Sequence, residues 1–99
     1  MKKIFLTFVL VGCWLNLALA SDLGKGFNAL TSGDFKSAFE NFKLACDKND
    51  ALGCNALGNL YKKGKGVEQN NELAKKYYKK ACELGLKPAC DSQDNSDKN

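Results

Sequence analysis

The stretch from Ala56 to Gly85, ALGNLYKKGKGVEQNNELAKKYYKKACELG, constrains the fold more than any other part of the chain. Ala56, Leu57, Leu60 and Tyr61 fall on one face of a 3.6-residue period. Gly64-Lys65-Gly66-Val67 then interrupts the pattern with two positions open to positive φ. A second apolar face follows, made of Leu73, Ala74, Tyr77, Tyr78, Ala81 and Cys82. Two amphipathic helices joined by a short Gly-rich loop make an αα-hairpin. Ala56, Gly58, Ala74 and Ala81 are small enough to let the two helices approach closely.

The run Ala56-x-Gly58-x-x-Tyr61-x-x-Gly64-x-Gly66-Val67, followed by Ala74-x-x-Tyr77-Tyr78-x-Lys80-Ala81 and Gly85, resembles the Sel-one-like repeat, a relative of the tetratricopeptide repeat. Cys82 stands where that repeat usually has a second Ala, and with Cys90 it resembles the pattern of the helicobacter cysteine-rich proteins. The resemblance implies an all-α fold: a short α/α solenoid of two disulfide-bridged helical hairpins with a truncated third.

The upstream residues read as a degenerate copy of the same unit. Leu23, Phe27 and Leu30 mark a first helix that Thr31-Ser32-Gly33-Asp34 ends, and Asp34 is placed to cap the next. Phe35, Ala38, Phe39, Phe42, Ala45 and Cys46 then form a strong apolar face. Ala38, Phe42, Lys43 and Ala45 align with Ala74, Tyr78, Lys79 and Ala81, 36 residues on. All these aromatics are expected in the core. The repeat domain is placed at residues 21–90, in units of about 21–54 and 55–90. Pro88 suits the first turn of a short closing helix through Cys90, and the polar residues 91–99 are expected to be disordered.

Cys46, Cys54, Cys82 and Cys90 allow three pairings. Both near pairs are eight residues apart and recur with the 36-residue period, so each bridge belongs to the repeat: Cys46–Cys54 and Cys82–Cys90. Each closes a short loop, worth roughly 2.5 kcal/mol of chain entropy. That contribution matters in a chain with fewer hairpins than repeat arrays generally need.

Such bridges imply an oxidising compartment. Lys2 and Lys3, the apolar run from Ile4 and the Ala18-Leu19-Ala20 end form a secretory signal over residues 1–20, so a secreted or periplasmic protein is expected. Two alternatives are a lipid anchor at Cys13, from the lipobox-like Leu10-Val11-Gly12-Cys13, and an uncleaved membrane segment. Asn16 interrupts a run already short for spanning, and the residues after Cys13 stay apolar, unlike a lipoprotein linker. Without Lys2 and Lys3 the net charge falls from +4 to +2, too little to imply nucleic-acid binding. The lysines of the second unit read as a solvated face.

Catalytic machinery is sparse. No His is present for acid–base work or zinc, the cysteine spacing is not that of a zinc module, and no C-x-x-C occurs; no metal or cofactor is expected. The resemblance also implies penicillin binding with weak β-lactamase activity, a label often given to that family. Ser-x-x-Lys, Ser-Asp-Asn and Lys-Thr-Gly are all missing from the sequence. The preferred reading is an exported interaction module for a protein, a peptide or a cell-wall component, with β-lactam hydrolysis as the alternative. In solenoids the first helix of each hairpin lines the binding surface. The candidate binding residues there are Asn55, Asn59, Lys62 and Lys63, with Asn55 and Asn59 sharing a face at i and i+4.

Overall fold

The computed structural model describes residues 21–96. The expected signal segment, including Cys13, and the last three residues lie outside them. Among the described residues there are five helices and no strands: α1 (Asp22–Thr31), α2 (Phe35–Asp47), α3 (Ala51–Lys63), α4 (Asn71–Glu83) and α5 (Lys87–Ser96). Each helix packs chiefly on the next, α1 on α2 through to α4 on α5, which is the neighbour-only contact order of a solenoid. α1–α2 and α3–α4 are the two expected hairpins, and α5 takes the place of the first helix of a third.

Local sequence fixes the helix starts. Ser21, Asp34, Asp50 and Asn70 each accept a backbone N–H from the first turn that follows, from Gly24, Ser37, Leu52 and Leu73 respectively. The helix ends repeat as well. After α2 the Asp50 N–H donates to the Ala45 carbonyl, and after α4 the Leu86 N–H donates to the Ala81 carbonyl. The residue between is left-handed in both, Asn49 at φ 66° and Gly85 at φ 108°. This is a Schellman turn, and α1 and α3 end in the same way, at Gly33 and Gly64, with the Asp34 N–H donating to the Ala29 carbonyl and the Lys65 N–H to the Leu60 carbonyl. After α2 and α4 the turn is equally short, and the cysteine eight residues on meets its partner. Both bridges form as the spacing indicates, Cys46–Cys54 from α2 to α3 and Cys82–Cys90 from α4 to α5.

The hairpins are built around a matched contact. Phe42 lies across Gly26 and Tyr78 lies across Gly58, so tightly that a Cβ on either glycine would stand 2.5 Å or 2.8 Å from the ring. Phe42 and Tyr78 are 36 residues apart, whereas Gly26 and Gly58 are 32 apart. The difference is the loop: residues 32–34 connect the first hairpin, residues 64–70 the second. The longer loop needs Gly66, at φ 71°, because a Cβ there would run into the Phe35 carbonyl at the start of α2. Phe39, Tyr61 and Tyr77 then form a ladder from α2 through α3 to α4, with centroids 5.5 Å and 5.6 Å apart, and join one hairpin to the other.

Three expectations are revised. The units divide at the Lys48–Asp50 turn rather than after Cys54, because Asp50 caps α3 and places Cys54 and Asn55 inside the second hairpin. The polar tail expected to be disordered from Asp91 stays helical to Ser96: the bridge holds Cys90, Ala89 is buried, the Ser92 hydroxyl donates to the Pro88 carbonyl, and no helix breaker follows Pro88. Phe27 is not a core residue. It is 42% exposed because its side of α1 faces a cleft instead of a neighbouring helix.

Candidate peptide-binding groove

α1 and α3, the first helices of the two hairpins, each pack on α2 and leave a cleft of about 190 Å³ between them. Its floor is apolar: Leu30 from α1, Phe35 and Phe42 from α2, Ala56 and Leu60 from α3. Phe27 forms one wall, its ring meeting Phe42 edge-on with centroids 5.0 Å apart. The opposite rim carries Asn59 and Lys63, one turn apart on α3, and Lys65 from the loop. Lys65 Nζ is held 5.0 Å from the centroid of the Phe35 ring, a cation–π contact that fixes the ammonium at the rim. Among the described residues no acidic side chain lines this cleft. It therefore combines an apolar floor sized for one side chain with an edge of hydrogen-bond donors and positive charge.

Asn59 is oriented from below. The Tyr78 hydroxyl donates to Asn59 Oδ1 at 2.5 Å. Tyr78 is 1% exposed, and burial raises its pKa above the usual phenol value.

Of the four residues expected from sequence, the structure brings Asn59 and Lys63 to the groove. Asn55 lies a turn earlier on α3, outside the lining, with a buried Oδ1 that has no hydrogen-bond partner among the described residues. Lys62 also lies outside, and its carbonyl accepts from the Gln69 side chain, which ties the loop back onto α3. Sequence reasoning missed Phe27, Leu30 and Lys65. Phe27 had been counted as core and Leu30 only as marking the first helix, and only the loop path shows that Lys65 reaches α2. A shallower depression beside the same loop is lined by Tyr61, Val67, Glu68, Gln69, Asn70 and Leu73, and has no comparable cationic edge. Among the described residues no group of His, Cys, Asp or Glu could hold a metal ion, and no helix is long and apolar enough to cross a membrane.

Comparison with known proteins agrees with this architecture. The family model described as Sel1 repeat matches residues 15–50 and 51–86. The second match begins where α3 begins. A protein named "Putative beta-lactamase HcpD" from Helicobacter pylori (strain J99) is 35% identical over 73 residues, 70% of this chain and 24% of that relative. Its counterpart from a second H. pylori strain is 34% identical over the same length. A cytochrome c oxidase assembly factor 7 homolog from Drosophila melanogaster is 37% identical over 51 residues, 52% of this chain and 19% of the relative. The chain thus spans about a quarter of the length of the Helicobacter relatives. With both hairpins matched and their bridges, caps and turns repeating in register, the chain belongs to the Sel1 repeat family.

Proposed function

We propose that this protein is an exported interaction module that seats a peptide segment of a partner in the groove between α1 and α3. The observation that carries the reading is the groove itself: a cleft in which half-buried Leu30 and Phe35 lie over buried Phe42, Ala56 and Leu60, with Phe27 exposed on one side and Asn59, Lys63 and Lys65 on the other. An exposed aromatic beside fixed polar donors is the composition of a binding site rather than of a solvated helix face. Export rests on the two bridges, which persist in oxidising compartments, and on the sequence of residues 1–20.

The test is selection of binders from a random peptide library with the oxidised protein, followed by affinity measurements on variants. Phe27→Ala and Lys63→Glu are each expected to weaken the selected peptides about tenfold, since exposed anchors and charge-assisted contacts are worth about 1.5 kcal/mol or more. Unchanged affinity in both variants would place the ligand elsewhere. Asn55→Ala and Lys62→Ala give the contrast: a loss there of equal size would spread the site along α3.

The alternative, β-lactam binding and hydrolysis, comes from the names of the Helicobacter relatives and not from chemistry visible in this chain. The purified, oxidised protein is expected to hydrolyse penicillin no faster than a control with all four bridge cysteines changed to Ser. Turnover proportional to protein and absent from that control would reverse the ranking of the two readings.

A further inference from the structure

The second hairpin carries all three tyrosines of the chain, and they are held in two different ways. Tyr78 is buried, with its hydroxyl on Asn59. Tyr61 of α3 and Tyr77 of α4 are half-buried and stack on each other, their rings parallel and their centroids 5.6 Å apart. Phe39 meets Tyr61 edge-on, and Lys76 Nζ stands 5.9 Å from the centroid of the Tyr77 ring. At the matching positions the first hairpin has Ala29 and Asn41, so a hairpin of this kind packs without a phenol pair.

The pair stands out chemically. Beyond residue 20 the chain has no Met, Trp or His, and its four cysteines are bridged, so they present no thiolate to an oxidant. The phenols of Tyr61 and Tyr77 are therefore the side chains most open to one-electron oxidation. Their place in the fold matters equally. Cys46–Cys54 joins α2 to α3, and Cys82–Cys90 joins α4 to α5. Between those bridges, α3 and α4 are connected covalently only through residues 64–70, the longest loop among the described residues.

We propose that Tyr61 and Tyr77 form a modification site, at which hydrogen peroxide and an oxidant of the haem peroxidase class couple the two rings into an intramolecular dityrosine. Each phenol gives up one electron and its hydroxyl proton, and the peroxide takes both electrons and both protons to become two waters. The phenoxyl radicals join ortho carbon to ortho carbon, since each para carbon already bears its side chain. The two ortho hydrogens then pass to the oxygens and restore both phenols, so the protein loses two hydrogen atoms in all. Stacking favours this pairing over coupling between molecules, because the partner ring is already held beside its mate. The new bond completes a covalent course from α2 through α5, and it does not depend on the peptide-binding reading.

The test treats a dilute solution of the purified, oxidised protein with a haem peroxidase and hydrogen peroxide. The expected product is a monomer on a denaturing gel, lighter by two hydrogen atoms, with dityrosine fluorescence and one cross-link that maps to Tyr61 and Tyr77. Tyr61→Phe and Tyr77→Phe keep the stacked ring and should each abolish the fluorescence of the monomer, whereas Tyr78→Phe should leave it unchanged. Closing the loop between α3 and α4 should raise the thermal midpoint by on the order of 10 °C. Dityrosine found only in dimers, or a monomer yield that survives in Tyr77→Phe, would overturn the pairing. Should that variant fail to fold, a wild-type cross-link mapping to Tyr78 overturns it instead. A cross-linked monomer with an unchanged midpoint removes the tie between the helices, and a folded protein that yields no dityrosine removes the site.

Discussion

Phe42→Ala is expected to lower stability by about 3–5 kcal/mol, the usual cost of removing a large buried ring. Phe42 is fully buried, lies directly on Gly26 and forms part of the groove floor. Gly26 has no side chain with which to fill the space that the ring leaves. A small domain typically has about 5–15 kcal/mol in all, so one such loss leaves little margin. Urea unfolding followed by circular dichroism measures it. A change below about 1 kcal/mol, the level of ordinary surface substitutions, would mean that α1 and α2 are not held together through this ring.

Removing the Cys46–Cys54 bridge as Cys46→Ala with Cys54→Ala is expected to cost about 2.5 kcal/mol from loop closure alone. The total should be larger than for the second bridge, although the loops are equally long. Cys46 and Cys54 are fully buried at the junction of the two hairpins, and replacing both by Ala also empties volume there. Cys82 and Cys90 are half-buried and tie on only α5. Cys82→Ala with Cys90→Ala should therefore release α5 locally, with faster amide exchange in residues 87–96 and nearly unchanged exchange in α2 and α3. Equal global losses from the two double variants would argue against this division of labour.

Much of this architecture is legible in the sequence because repeats state their own register. The 36-residue period sets the cysteine pairs, the 3.6-residue faces set the helices, and Asp34, Gly64 and Gly85 mark their ends. Asn49 was not legible as the second left-handed turn residue. Its role shows only in the Asp50-to-Ala45 hydrogen bond, since Asn reaches that region less often than Gly and gives a weaker signal. The helical course of residues 91–96 was hidden for a related reason: composition reports what a segment would do alone, while the bridge at Cys90 and buried Ala89 act from outside it.

The candidate site divides in the same way. Sequence by itself pointed to the first helix of the second hairpin as a binding surface, and so included Asn59 and Lys63 among its candidates. It could not separate them from Asn55 and Lys62, because all four share one helix and similar chemistry. Only the tertiary structure decided that Phe27 faces a cleft rather than the core, that Lys65 crosses to Phe35, and that Tyr78 reaches up to Asn59. Periodicity reports which face of a helix is apolar; it is silent on whether another helix covers that face. Here α2 holds α1 and α3 apart, and the gap between them turns apolar residues that read as core into the floor and wall of a groove.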